Sequence, residues 1–382
     1  MTHKGGGMLT GLDVLLRGGC APLRGRRVGL VTNHTGRTSA GQATADALHA
    51  APGVTLVALF GPEHGVRGTY DQPQIADSVD DATGVPVFSL YGERTAPTEA
   101  QLQNIDMLVY DIQDIGTRFY TYISTLLRVI LAAGAHHTPV MVLDRPNPIT
   151  GTRIEGPVAD TGALSFTACH PLPVRHGLTI GEAARLLHHE TGQMGELIII
   201  PCENWKRGDW YDATSLLWTD PSPNMRSLTQ ATLYPGIGLL EMTNVSVGRG
   251  TDAPFETFGA PWLEARAFAS HLNAQNMTGA RFVPREFTPC GSVYAGETCG
   301  GVNVLVTDRD ALDSVRLGLT IALALRALHP AQWDTAKLGT LLAHETTRQG
   351  ILNGQDYARL AAGWAGAGAE FTARRRGHLL YE

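Results

Sequence analysis

Short apolar runs of β-forming residues, separated by stretches with helical spacing, are the feature that most restricts how this chain can fold. The runs lie at 27–32, 54–60, 86–90, 105–111, 140–143 and 197–200. Apolar runs of four to seven residues read as strands buried on both faces. Between them, an Ala-rich helix is expected over about 41–50. Phe119, Ile123, Leu126, Leu127, Ile130 and Leu131 fall at helical spacing, with Gly134 as a stop. Thr179 precedes a further helix as its N-cap, and Glu182 three residues on completes a capping box. Strands alternating with helices predict an α/β domain with a mostly parallel sheet covered on both faces. We place this domain at 1–230 and a second, smaller α+β domain at 231–382. The second domain offers a Gly-rich loop over 243–252, a strand over 301–306 and a helix over 310–328.

Composition narrows the functional classes. The 382 residues are 43% hydrophobic and 17% charged, enough apolar content for a large core. Net charge is −6 without a basic block, so no nucleic acid partner is expected, because phosphate binding needs clustered Lys and Arg. The one dense basic run, Arg374-Arg375-Arg376, reads as a solvated helix face. Five widely spaced cysteines form no CxxC pair and fit reduced thiols, although Cys290 and Cys299 lie close enough in sequence to pair. The polar start of the chain lacks the apolar core of a secretory signal, and no stretch has the length of a membrane span. A cytoplasmic protein without a membrane partner is expected on that reading.

The strand ends carry the chemistry. Parallel sheets bind ligands at the carboxyl ends of their strands, and right-handed crossovers gather the following loops on one rim. Four such loops hold Asn33 and His34, Glu63 and His64, Asp111 and Asp114, and Asp144 and Asn147. Gly61-Pro62-Glu63-His64-Gly65 stands out, because glycine and proline fix a tight turn that carries two proton-transfer groups. No GxGxxG or P-loop lysine is present, so no nucleotide cofactor is expected. The histidines form no HExxH motif or matched carboxylate set, so no metal is expected. There is no GxSxG elbow. The remaining chemistry is that of paired carboxylates, as in glycosidic cleavage, where an acid protonates the leaving oxygen and a second group stabilises an oxocarbenium-like transition state. Glu63, Asp111, Asp114, Asp144 and Glu155 are the candidates. Arg67, Arg118, Arg145, Arg226 and Arg249 accompany them, and this excess of arginine suggests an anionic substrate. The segment from Trp205 to Pro223 is crowded with tryptophan and proline and suits sugar stacking.

Several of these segments are similar to the NamZ family of exo-β-N-acetylmuramidases. They include Gly29-Leu30-Val31-Thr32-Asn33-His34-Thr35-Gly36 and Gly61-Pro62-Glu63-His64-Gly65-Val66-Arg67-Gly68. Tyr110-Asp111-Ile112-Gln113-Asp114-Ile115-Gly116-Thr117-Arg118-Phe119-Tyr120-Thr121-Tyr122 and Leu143-Asp144-Arg145-Pro146-Asn147-Pro148 follow. Glu155-Gly156-Pro157, Pro173-Val174-Arg175-His176-Gly177, Pro221-Ser222-Pro223-Asn224-Met225-Arg226 and Asn244-Val245-Ser246-Val247-Gly248-Arg249-Gly250-Thr251 complete the set. The resemblance implies a Rossmann-like first domain without a nucleotide, a smaller C-terminal domain and a cleft between them. It implies release of terminal N-acetylmuramic acid from the non-reducing end of peptidoglycan-derived disaccharides or muropeptides. Under it, Glu63 is the active-site glutamate and Glu155 maps to a second one. Our reading of the residues makes Glu63 the general acid with His64 in support, and leaves the second role open between Glu155 as nucleophile or base and Asp111 or Asp114 orienting the 2-acetamido group. Substrate contacts are expected from Asn33, His34, Arg67, Asp111, Asp114, Arg118, Tyr122, Asn147, Asn224 and Arg249. Arg118 and Arg249, free of internal partners, would read the lactyl carboxylate. A metal-dependent phosphoesterase and a muropeptide-binding protein without turnover remain as alternatives.

Overall fold

In the computed structural model, which describes residues 7–68 and 76–382, seven strands build the principal sheet. These are β1 (Arg27–Thr32), β2 (Thr55–Gly61), β3 (Ser78–Val79), β4 (Pro86–Ser89), β5 (Met107–Asp111), β6 (Val140–Leu143) and, after a separate ribbon, β9 (Leu197–Ile200). Their order is β3-β4-β2-β1-β5-β6-β9. All pairs are parallel except the short β3 against β4. The six expected runs are the six parallel strands, within two residues at each end.

β1, β5 and β6 are buried along nearly their whole length. Their residues alternate between two apolar clusters, as the two-residue period of a strand requires. Met107, Val109, Met141 and Leu143 face one cluster with Leu12, Leu15 and Leu48. Leu108, Tyr110, Val140 and Val142 face the other with Ile123, Leu126, Ile130, Ala183 and Leu187. Helices Gly11–Arg17 and Thr44–His49 thus cover one face, and Tyr122–Ala135 and Ile180–Glu190 the other. The expected cap of the last helix is present: Thr179 accepts from the Glu182 amide, and Glu182 accepts from the Thr179 amide.

A two-stranded antiparallel ribbon, β7 (Glu155–Val158) with β8 (Pro173–Arg175), lies off the main sheet. A turn is expected at Glu155 from its sequence; it is instead a strand residue. The C-terminal part has a three-stranded antiparallel sheet of β10 (Thr257–Ala260), β12 (Cys299–Val306) and β11 (Ala280–Phe287), in that spatial order. The long helix Ser314–Leu328 packs against helix Leu228–Ile237. There the backbones meet at Gly236 and Gly318, where a Cβ on either would strike the other's chain. The expected junction at 230/231 falls inside helix Leu228–Ile237, and the larger apolar cluster runs through both parts of the chain.

The basic run near the end is not a solvated face. Arg375 is buried and donates to the carbonyls of Gly151, His176 and Gly177, and Arg374 pairs with Glu190 at 2.6 Å. The run therefore docks helix Ala365–Arg376 onto the first part of the chain. All five cysteines are free thiols; Cys299 is buried and Cys290 exposed. Among the described residues, no helix is long and apolar enough to cross a membrane.

Candidate active site

The turn after β2 sets the site. The Gly65 amide donates to the Pro62 carbonyl at 2.9 Å. His64 and Gly65 both lie in the left-handed region, at φ +72° and +73°. Gly65 adopts that conformation freely. His64 does so at a cost of about 1–3 kcal/mol, a strain that collects where geometry serves function. The outcome is a half-buried Glu63 carboxylate held on both oxygens. Tyr91, just past β4, donates its hydroxyl to Oε1 at 2.9 Å, and Thr121, at the start of helix Tyr122–Ala135, donates to Oε2 at 3.0 Å.

Glu63 and His64 line a cavity of about 340 Å³ whose walls come from both parts of the chain. Tyr122 and Asn224 line it as well. The Tyr122 hydroxyl donates to the Pro221 carbonyl at 2.6 Å, which ties the loop before Asn224 to the cavity floor. From the far side come Glu241 and Arg249, paired at 2.5 Å. Arg249 therefore reaches the cavity, but with a carboxylate partner where none is expected. Burial pushes the Glu241 carboxyl above its ordinary range; Arg249 opposes this, and the charge of Glu63 adds to it. Tyr120 also lines the cavity. Its hydroxyl is buried with no hydrogen-bond partner, while its ring packs edge-on against Tyr122 and Tyr234 at 5.1 and 5.7 Å.

Sequence reasoning misses Glu241 and Tyr120. Glu241 follows the buried turn Gly238–Leu240 with no glycine or proline motif of its own. The available signal is a lone acid within the apolar run Leu239-Leu240-Glu241-Met242. Tyr120 sits between Phe119 and Tyr122, and nothing local distinguishes it from its aromatic neighbours.

Other expected site residues support the rim from beneath. Glu155 is ion-paired with buried Arg175 and accepts from the Ser314 amide at 2.9 Å, capping helix Ser314–Leu328; it does not line the Glu63 cavity. Arg118 is fully buried, and its guanidinium donates to the carbonyls of Pro157, Leu172, Leu341 and Leu342. Asp111 is buried against Arg145 at 2.5 Å and accepts from Thr44. Asp114 accepts from the Gly116 amide at 2.7 Å, and burial raises its pKa to about 7. Asn147 binds the Leu178 carbonyl and the Ile149 amide. Asn33 accepts from the Thr35 amide and hydroxyl. Arg67 is clamped by Asp46 and Asp80, both at 2.7 Å. Asp111 and Arg67 are taken up by ion pairs, whereas the others share one physical reason. Turns at buried strand ends leave amides and carbonyls without partners, and polar side chains there satisfy them first. His34 lines a second cavity, with its Nε2 2.6 Å from the Asp220 carbonyl. Among the described residues no cluster of three His, Cys, Asp or Glu side chains could hold a metal ion.

Residues 28–229 match the family described as exo-β-N-acetylmuramidase NamZ, N-terminal, and residues 232–381 match its C-terminal counterpart. The peptidoglycan β-N-acetylmuramidase NamZ of Bacillus subtilis is 39% identical over 376 residues, covering 97% of this chain and 91% of that protein. Two crystal structures of DUF1343 family proteins from Bacteroides fragilis share the fold. One has a TM-score of 0.92 at 36% identity and covers 98% of this chain and 99% of its own; the other has a TM-score of 0.81 at 29% identity and covers 99% of both. With the Glu63 turn, both domain matches and near-complete coverage in agreement, the chain belongs to the exo-β-N-acetylmuramidase NamZ family.

Proposed function

We infer that this protein is an exo-acting glycosidase that releases terminal N-acetylmuramic acid from the non-reducing end of peptidoglycan fragments. Family membership supports the reaction. The observation that carries the site is the Glu63 carboxyl, presented by a strained turn into a cavity that also holds a second carboxylate, Glu241.

In this reading Glu63 is the general acid. Its proton goes to the glycosidic oxygen as the bond to the anomeric carbon breaks, the hydroxyls of Tyr91 and Thr121 stabilise the carboxylate left behind, and the hydrolysis closes when a water oxygen bonds to the anomeric carbon and its released proton restores the Glu63 acid. Glu241 takes the role expected of Glu155. Burial disfavours its ionised form, Arg249 opposes this, and the negative charge of Glu63 adds a smaller contribution in the same direction as burial. Arg249 balances Glu241 and stands beside the space where a lactyl carboxylate would lie. Tyr120 packs in the wall beside Ser222, with its hydroxyl beneath the cavity surface. His64, Tyr122 and Asn224 shape the remaining wall.

The test is turnover of a chromogenic β-N-acetylmuraminide against its N-acetylglucosaminide counterpart, by the wild type and by Glu63→Gln, with and without EDTA. Wild type should cleave the muraminide preferentially and keep its rate in excess chelator. Glu63→Gln should lose about 10²–10⁴-fold, the range of general-acid catalysis, with an unchanged melting temperature. Near-normal turnover by Glu63→Gln would overturn its assignment. No muraminide turnover, together with EDTA-sensitive hydrolysis of an aryl phosphate, would favour a metal-dependent phosphoesterase, and saturable binding without turnover would favour a binding protein.

A further inference from the structure

We propose that a second cavity on the same rim is the binding site for the leaving sugar, an N-acetylhexosamine unit of the glycan, an inference that rests on the reading of the Glu63 cavity given above. The second cavity has a volume of about 610 Å³ and shares Ser222 with the first. The segment between Trp218 and Met225 forms the partition. It is anchored on the Glu63 side by the Tyr122 hydroxyl on the Pro221 carbonyl, and on the other side by the His34 ring on the Asp220 carbonyl. A glycan cut at Glu63 must leave across this partition or away from the rim, and the rim offers a prepared space on one side.

The lining matches a pyranose ring. One wall is apolar, with Tyr211, Leu217 and Trp218; the Tyr211 and Trp218 rings pack edge-to-face at 5.2 Å, and Leu217 is 79% exposed. An exposed leucine beside a fixed aromatic pair suits the apolar face of a sugar. The opposite wall is polar, with His34, Arg37 and Gln113. Gln113 is 5% exposed, and its Nε2 donates to the Asp114 and Pro146 carbonyls, which fixes its Oε1 as an acceptor; that oxygen is buried with no donor. The Nε2 of His34 faces a carbonyl and so carries the ring proton, which leaves Nδ1 as an acceptor, also buried with no donor. Buried acceptors without donors are costly unless a ligand completes them. Both acceptors belong to side chains that line the cavity but lie beneath its surface, so a ligand rich in O–H and N–H groups, as a sugar is, completes them once either side chain turns toward it. Gly68 is part of this fit: at φ +73° it brings the chain against the His34 ring, and a Cβ there would lie 2.3 Å from ring atoms.

The experiment compares two substrates and one binding measurement. A β-linked N-acetylmuramic acid–N-acetylglucosamine disaccharide needs the second cavity, whereas an aryl β-N-acetylmuraminide does not. Thr219→Phe, on the loop lining the cavity, narrows it, and Trp218→Ala removes its stacking face. In each, the ratio of disaccharide to aryl kcat/KM should fall at least ten-fold. Calorimetry should show the disaccharide binding at least ten-fold more weakly to Glu63→Gln/Thr219→Phe than to Glu63→Gln. If Trp218→Ala melts early, Thr219→Phe alone decides. Unchanged ratio and affinity would overturn the proposal. So would a Thr219→Phe defect confined to substrates bearing a peptide stem, which would assign the cavity to peptide. If wild type cleaves neither substrate, the reading of the Glu63 cavity fails, while the affinity comparison still decides the second cavity.

Discussion

Glu155, buried, and Glu241, half-buried, are both paired with arginine, yet only Glu241 faces a cavity with Glu63. The two should therefore fail differently. Glu241→Gln is expected to fold normally and to lower muraminide turnover by about 100-fold or more, within the range of an acid–base group. Glu155→Gln leaves Arg175 buried without its carboxylate and should cost about 3–5 kcal/mol of stability, while the folded fraction keeps its turnover. Melting curves and active-site-normalised rates for the pair separate the roles; the reverse pattern would restore Glu155 to catalysis. Asp114 makes a third test, through pH. Its folded pKa, raised to about 7 by burial, lies above the unfolded value of about 3.9. The folded state thus holds the proton more tightly, so the stability that this group contributes is complete below about pH 4 and lost as pH rises through 7. Asp114→Asn mimics the neutral form and keeps an acceptor for the Gly116 amide. It should raise the melting temperature at pH 8 and change it little at pH 4–5. A difference independent of pH would contradict the buried, proton-bearing state.

At the scale of elements, local physics and the sequence agree where a segment is uniform. The central parallel strands are legible because burial on both faces demands an unbroken apolar run, which β6 shows in four residues; the half-buried edge strand β9 keeps the same apolar pattern. The helix at Ile180–Glu190 is legible from its capping box. Thr179→Ala removes that cap and also the hydroxyl bond to Asp144 at 2.8 Å. About 1–2 kcal/mol of destabilisation is expected from chemical denaturation, with the N-cap alone accounting for about 1 kcal/mol. Illegible elements are those whose partners are distant. The ribbon of β7 and β8 contains Gly156 and Pro157 and reads as a turn; only pairing across 20 residues makes it a strand. The site divides in the same way. Glu63 is visible because its turn is written in adjacent residues. Glu241, Tyr120 and the buried fates of Arg118 and Arg67 depend on contacts made by remote segments, which no local pattern records.

Across the whole molecule, Arg118 shows how the two parts of the chain are joined. Its guanidinium receives carbonyls from Pro157 and Leu172 on one side and from Leu341 and Leu342 on the other, with no water-exposed surface. Burial lowers its pKa to about 10, which still leaves it charged at neutral pH. A buried cation is tolerated only when hydrogen bonds surround it, and here four carbonyl dipoles do so. The Arg118–Leu341 and Arg118–Leu342 bonds lie beside Leu341, a residue that also lines the Glu63 cavity. Arg118 thus acts on the cavity by holding its C-terminal wall in place. Arg118→Met keeps an unbranched apolar stem and removes the guanidinium donors, leaving carbonyls on both sides without partners. About 1–3 kcal/mol should be lost for buried carbonyls left without a donor. Because one apolar cluster runs through both parts, unfolding should stay a single transition at a lower midpoint. Whatever muraminide activity survives should keep the wild-type preference over the glucosaminide, since the side chain never meets the lactyl group. A stable Arg118→Met protein with reduced preference would show instead that Arg118 reads substrate.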